Sequence, residues 1–158
     1  MGNHAYAYWP ETAYVTVVRA LNEQALTISL QEVCQDQWLT IGQALYPYGY
    51  RALYRETISA DDQAFSEDCN ETSRGNAVYA KGTNLGNVGG NMQLTPIEGQ
   101  KRYLVCMKSQ AYIYYTTCST HITTNPAVRV EQANVALYFW LIAVRPQGTF
   151  SITGADFN

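Results

Sequence analysis

The sequence predicts a single domain of the α/β or α+β class, with helices covering sheets. Three observations carry this. The chain has 158 residues, 47% of them apolar, which is a globular composition with enough length for one sizeable core. Helical periodicity alternates along it with apolar, β-branched runs. Proline and glycine mark the joins, with Pro47 and Gly49 closing one helical pattern and Pro146 and Gly148 another.

Taken in order, Pro10 and Thr12 introduce a first helix, with Tyr14, Val17, Val18 and Leu21 as its apolar stripe. Residues 26–33, "LTISLQEV", read as a buried strand that breaks off at Gln31-Glu32. A second helix starts near Asp36, with Trp38, Ile41 and Leu45 on one face. Residues 50–58 and 75–81 read as strands, and 82–91 as a loop whose glycines form no phosphate-cradling motif. Residues 101–108 and 111–121 read as a hairpin turning near Lys108-Ser109-Gln110. Asn125 caps a last helix with Pro126 at its first position, running to about Arg145. Residues 149–155 form the final strand. There is no internal repeat and no linker.

A net charge of -3 argues against a broad electrostatic grip on nucleic acid, and leaves room for a small cationic site that handles one phosphate. Thirteen tyrosines against three lysines suit strands and secretion. The four cysteines include no CxxC pair, so the expectation is two disulfides in an oxidising compartment, with three connectivities open. Glu56, Asp61, Asp62, Glu67, Asp68 and Glu71 fall in a stretch without Lys or Arg, which reads as a solvated loop and lacks EF-hand spacing. Asn70-Glu71-Thr72 is a glycosylation sequon. No stretch is long and apolar enough to span a membrane. "MGNHAY" carries neither a signal-peptide pattern nor, with Tyr6 where Ser or Thr is required, a myristoylation signal.

Polar residues end three apolar strands: Glu32, His121, and the pair Asp156 and Asn158. Strand ends gathered at one rim are where ligands bind. A carboxylate there binds Mg²⁺ through oxygen, an imidazole serves as proton donor, and a D-x-N pair on extended chain puts both side chains on one face.

The ordered set "SLQEVC", "RGNAVYAK", "TTCSTHIT" and "GADFN" resembles the endonuclease/exonuclease/phosphatase superfamily, whose fold is that of the pancreatic-type deoxyribonucleases. The cysteine positions resemble a secreted bacterial branch. The resemblance implies a four-layer α/β/β/α sandwich and metal-assisted hydrolysis of a phosphodiester or phosphomonoester. It implies Glu32 as Mg²⁺ ligand and His121 as general acid or phosphate-polarising group. Asp156 would orient or deprotonate water, Asn158 would bind the scissile phosphate, and Asn76 and Arg102 would support it. Nucleic acid, phospholipid and sugar phosphate are all substrates within that superfamily. The family pattern also has a first strand bearing Asn and a late strand bearing Asp-His. Residues 1–158 hold neither, and Ala155 stands where Gly is usual. The expectation is therefore a partial domain with impaired turnover and exposed sheet edges. Two other readings follow from this: a self-assembling structural subunit, and a pseudoenzyme that binds phosphate ligands without turnover.

Overall fold

The structure is a computed structural model and describes residues 9–58, 69, 72–87, 92–97, 100–111, 113–139 and 150–156. Its elements run α1 (Trp9–Asn22), β1 (Thr27–Cys34), α2 (Gln35–Leu45), a 3₁₀ turn (Tyr46–Tyr48), β2 (Tyr50–Ile58), β3 (Arg74–Lys81), β4 (Thr83–Asn87), β5 (Met92–Ile97), β6 (Gln100–Gln110), β7 (Tyr114–His121), α3 (Pro126–Phe139) and β8 (Phe150–Asp156). Two sheets form. One is β1-β3-β2, all antiparallel. The other runs β4-β6-β7-β8, with β5 on β6 as well and β8 parallel to β7.

Side-chain alternation builds the layers. On β3, Ala77 and Tyr79 face α1 and α2, in a core with Ala13, Ala20, Ile41 and Leu45. Val78 and Ala80 face the second sheet and meet Val105, Met107 and Tyr115. On the far side of that sheet, Leu104, Cys106 and Cys118 meet Ala136 and Phe139 of α3. The order is helix, sheet, sheet, helix: the four-layer α+β sandwich that the resemblance implies. Large tyrosines fill it. Burial pushes the phenol of Tyr54 up to about 12, and raises those of Tyr79 and Tyr115.

Both disulfides form, as Cys34–Cys69 and Cys106–Cys118. The second joins directly opposed residues of β6 and β7. Asn125 caps α3 as expected, its Oδ1 accepting from the Ala127 N–H at 3.0 Å. Buried Gln132 adds a second tie, accepting from the Thr123 N–H at 2.8 Å.

Several expectations need correction. Tyr14 is 70% exposed, and α1 buries Ala13 and Ala20 with Val17 and Leu21 beside them. The small residues let the helix lie close to its neighbours. Residues 83–87 are not loop: β4 pairs with the second half of β6. Gly82 makes that entry possible, with φ +107; a Cβ at this position would lie only 2.0 Å from the Gln110 carbonyl oxygen. β5 is short, and Pro96 breaks the alternation that Met92 and Leu94 begin. The β6–β7 turn lies beyond Gln110, not at 108–110. β1 is half-buried along most of its length and pairs only with β3 among the described residues. Most of the acidic stretch, Asn70 and residues 140–149 lie outside the described residues. No helix of the described residues is long and apolar enough to cross a membrane.

Candidate active site at the sandwich rim

A polar seam fixes how the two sheets meet. Thr27, Ser29 and Gln31 share the inward face of β1. Thr27 Oγ1 bonds Thr117 Oγ1. The Gln31 amide donates to Ser29 Oγ at 2.9 Å and Ser119 Oγ at 3.0 Å. Ser119 Oγ donates to the Leu30 carbonyl at 3.1 Å, and Ser29 Oγ to the Gly154 carbonyl at 3.2 Å. A Cβ at Gly154 would lie 2.3 Å from the Ser29 Cβ, so β8 passes β1 at glycine distance. Gly154→Ala is therefore expected to cost about 1–3 kcal/mol in denaturant unfolding, and Ser29→Gly to recover part of that loss. Strict additivity of the two changes would refute the contact.

The seam delivers Glu32, and a bulge aims it. In the β1–β3 register Leu30 faces Ala77 and Val33 faces Gly75, so Gln31 and Glu32 together oppose Asn76. Glu32 has φ 55, a left-handed value that is rare and strained for a residue with a side chain. The extra residue flips the alternation. Val33 joins the helix-facing core, while Glu32 comes within 3.6 Å of His121 Nδ1 and stays 41% exposed. β2 bulges beside the same point, between Glu56 and Ile58. Gly75 sits in the crimp, where a Cβ would lie 2.0 Å from the Arg55 carbonyl oxygen.

His121 ends β7, buried to 8% exposure, with Arg102 Nη1 3.1 Å from its Nδ1. Arginine carries only donors, so in that contact Nδ1 accepts; the Glu32 carboxylate, an acceptor, faces the same nitrogen at 3.6 Å. Burial lowers the Arg102 pKa from its ordinary value; Glu32 opposes this and Arg74 adds to it. Glu32, Arg102 and His121 thus form one polar cluster drawn from both sheets, in which Glu32 and Arg102 are coupled by charge. Asp156 occupies the β8 position paired with His121 in the parallel register. Asn158 lies outside the described residues. Asn76 is buried to 1% exposure and donates from Nδ2 to the Tyr103 carbonyl at 3.2 Å, holding the strand next to Arg102. Arg74, at the start of β3, neighbours this cluster without having been singled out by sequence reasoning. Its signal is its place at the head of "RGNAVYAK", the strand end on the same rim.

Among the described side chains, Glu32 offers a divalent ion a hard oxygen ligand here. No group of three or more His, Cys, Asp or Glu among the described residues is arranged to hold a metal. A carboxylate oxygen beside a phosphate site is a donor of the type Mg²⁺ uses while keeping several of its waters.

No family model and no curated protein matches the chain. Solved structures do. The human Nocturnin catalytic domain with bound sulfate anion aligns with TM-score 0.72 and 17% identity, over 95% of this chain and 57% of that chain. The mannosyl-6-phosphatase Bt3783 of Bacteroides thetaiotaomicron aligns with TM-score 0.70 and 15% identity, over 95% and 57%. An endonuclease/exonuclease/phosphatase family protein from Leptotrichia buccalis aligns with TM-score 0.69 and 14% identity, over 95% and 61%. The chain has the endonuclease/exonuclease/phosphatase fold. It spans less than two thirds of the length of these structures.

Proposed function

We propose that the chain carries part of the active centre of a metal-assisted phosphoesterase. One observation bears most of the weight: Glu32, Arg102 and His121 converge at one rim of a fold shared with phosphatases. Glu32 is the proposed Mg²⁺ ligand, and the ion would supply Lewis-acid neutralisation of phosphate oxygens. Arg102 attracts the phosphate and holds His121 at Nδ1. His121 Nε2–H then donates to a phosphate oxygen in the transition state. Asp156 is assigned to receive the proton of the water whose oxygen bonds to phosphorus as the phosphorus–oxygen bond to the leaving group breaks, the released oxygen taking its proton from solvent, and Asn158 to bind the scissile phosphate. Asn76 acts as a positioning residue through Tyr103. The two disulfides support a secreted protein.

The test is hydrolysis of a chromogenic phosphodiester and phosphomonoester with and without Mg²⁺, in the parent chain and in Glu32→Gln. The expected result is Mg²⁺-dependent turnover, with at least a tenfold higher Mg²⁺ requirement in the variant. Turnover indifferent to both Mg²⁺ and Glu32 overturns the assignment. Mg²⁺-dependent phosphate binding without turnover favours the pseudoenzyme reading. β1 and β8 each pair on one side only among the described residues, which supports self-association as a second reading; a monomer in light scattering on the same preparation counts against it.

A further inference from the structure

The opposite end of the sandwich carries a concavity of about 590 Å³. β3 runs from Arg74 at the rim to Lys81 here, roughly 23 Å at the rise of a strand, so this cavity is separate from the Glu32 site. Arg51, Lys81, Tyr48, Thr83, Asn84 and Gln110 line it, and among the described residues no carboxylate does. In a chain of net charge -3, two cations that share a concavity without an acid are a local inversion of sign. Neither has a carboxylate partner among the described residues.

Both cations are held in place by neutral groups. The Arg51 guanidinium lies over the Tyr46 ring, 4.3 Å from its centroid, and Nη1 donates to the Tyr50 carbonyl at 2.9 Å. Lys81 Nζ lies 5.8 Å from the Tyr50 ring centroid. Ring faces orient a cation without neutralising it, and the planar Arg51 fork keeps further N–H donors for a ligand. The backbone beneath is locked: Gly82 N–H donates to the Gly49 carbonyl at 2.8 Å. Ser109 Oγ and Tyr115 Oη also hold the Lys81 carbonyl, at 3.1 and 2.6 Å. The volume lies within the range of small-molecule sites and far exceeds the size of a bare oxyanion. The remaining lining, a phenol, a hydroxyl and two amides, is suited to ligand hydroxyls.

We infer that this concavity binds a phosphate or sulfate monoester of a small polar molecule such as a sugar, with Arg51 and Lys81 on the anion. The inference does not depend on catalysis at the Glu32 rim. Because a phosphate ester is expected at that rim too, the test must locate the ligand. The ¹⁵N-labelled chain is titrated with glucose 6-phosphate, glucose and inorganic phosphate, and amide shifts are mapped. Glucose 6-phosphate is expected to move Gly49, Gly82 and Gln110 saturably, while glucose leaves them unmoved. Arg51→Gln with Lys81→Gln is expected to weaken binding there at least tenfold, and Arg51→Lys, which keeps the charge without the fork, to give a smaller loss, serving also as the control if the glutamine pair disturbs the fold. Inorganic phosphate moving the same amides supports the site and assigns recognition to the anion alone. Shifts confined to the Arg102 and His121 end, equal binding of glucose, or affinity indifferent to the glutamine pair would each overturn it.

Discussion

Replacing Cys34 and Cys69 together by serine is expected to lower the unfolding free energy by roughly 4 kcal/mol, against about 3 for the Cys106 and Cys118 pair. The difference follows from loop length. The first bridge spans 35 residues and the second 12, and a longer closed loop removes more freedom from the unfolded chain. Local structure points the same way. Cys34 is the last residue of β1 and the cap residue of α2, where its N–H donates to Gln37 Oε1 at 3.0 Å. Gln35 N–H donates to the Ser73 carbonyl at 2.9 Å, so the bridge anchors the chain returning into β3 against the start of α2. The Cys106 and Cys118 bridge instead reinforces two strands already paired along their length. Guanidinium unfolding of the two double-serine variants, compared with the parent, measures both losses. A larger loss from the shorter bridge would refute the loop-closure account.

If the proposed activity holds, replacing His121 by alanine is expected to reduce phosphoester hydrolysis by about 10²–10⁴-fold, with phosphate binding changed far less. The ring is buried at a strand end with Arg102 Nη1 on its Nδ1, and the proposed role is donation from Nε2. A merely structural histidine would lose stability and activity together. The discriminating measurements are therefore the melting temperature, the separate kcat and KM, and the response to Arg102→Lys. Arg102→Lys keeps a charge but loses the planar fork, and is expected to give an intermediate loss in kcat. Full activity in folded His121→Ala would remove His121 from the mechanism.

The layers are legible in the sequence because they rest on simple periodicities. "GNAVYAK" alternates between two cores, and Asn125-Pro126 begins α3 where capping chemistry predicts. The candidate cluster is legible in part, as strand ends bearing Glu32 and His121. What the sequence hides is the means of their meeting. A bulge leaves no mark in composition, and Glu32 reads as the end of a strand when it is the extra residue inside one. The seam of Thr27, Ser29 and Gln31 is visible as polar alternation, but its partners Thr117 and Ser119 lie some ninety positions away. Tyr14 misleads because the buried stripe lies one position away, on Ala13, Val17 and Ala20 at i, i+4 and i+7. β4 is hidden because its glycine and asparagine content signals a turn, while its pairing comes from β6.

The seam also bears on how the fold and its ligand depend on each other. Arg102 and His121 ride on one hairpin, four residues before Cys106 and three after Cys118, so a covalent staple keeps that half of the cluster together. Glu32 belongs to the other sheet and reaches them only while the sheets are docked. A ligand that touches both halves would act as a rivet between the sheets. Its binding energy would then add to the cohesion of the sandwich by mass action, and the first opening of the sheets would disarm the cluster while each half was still folded.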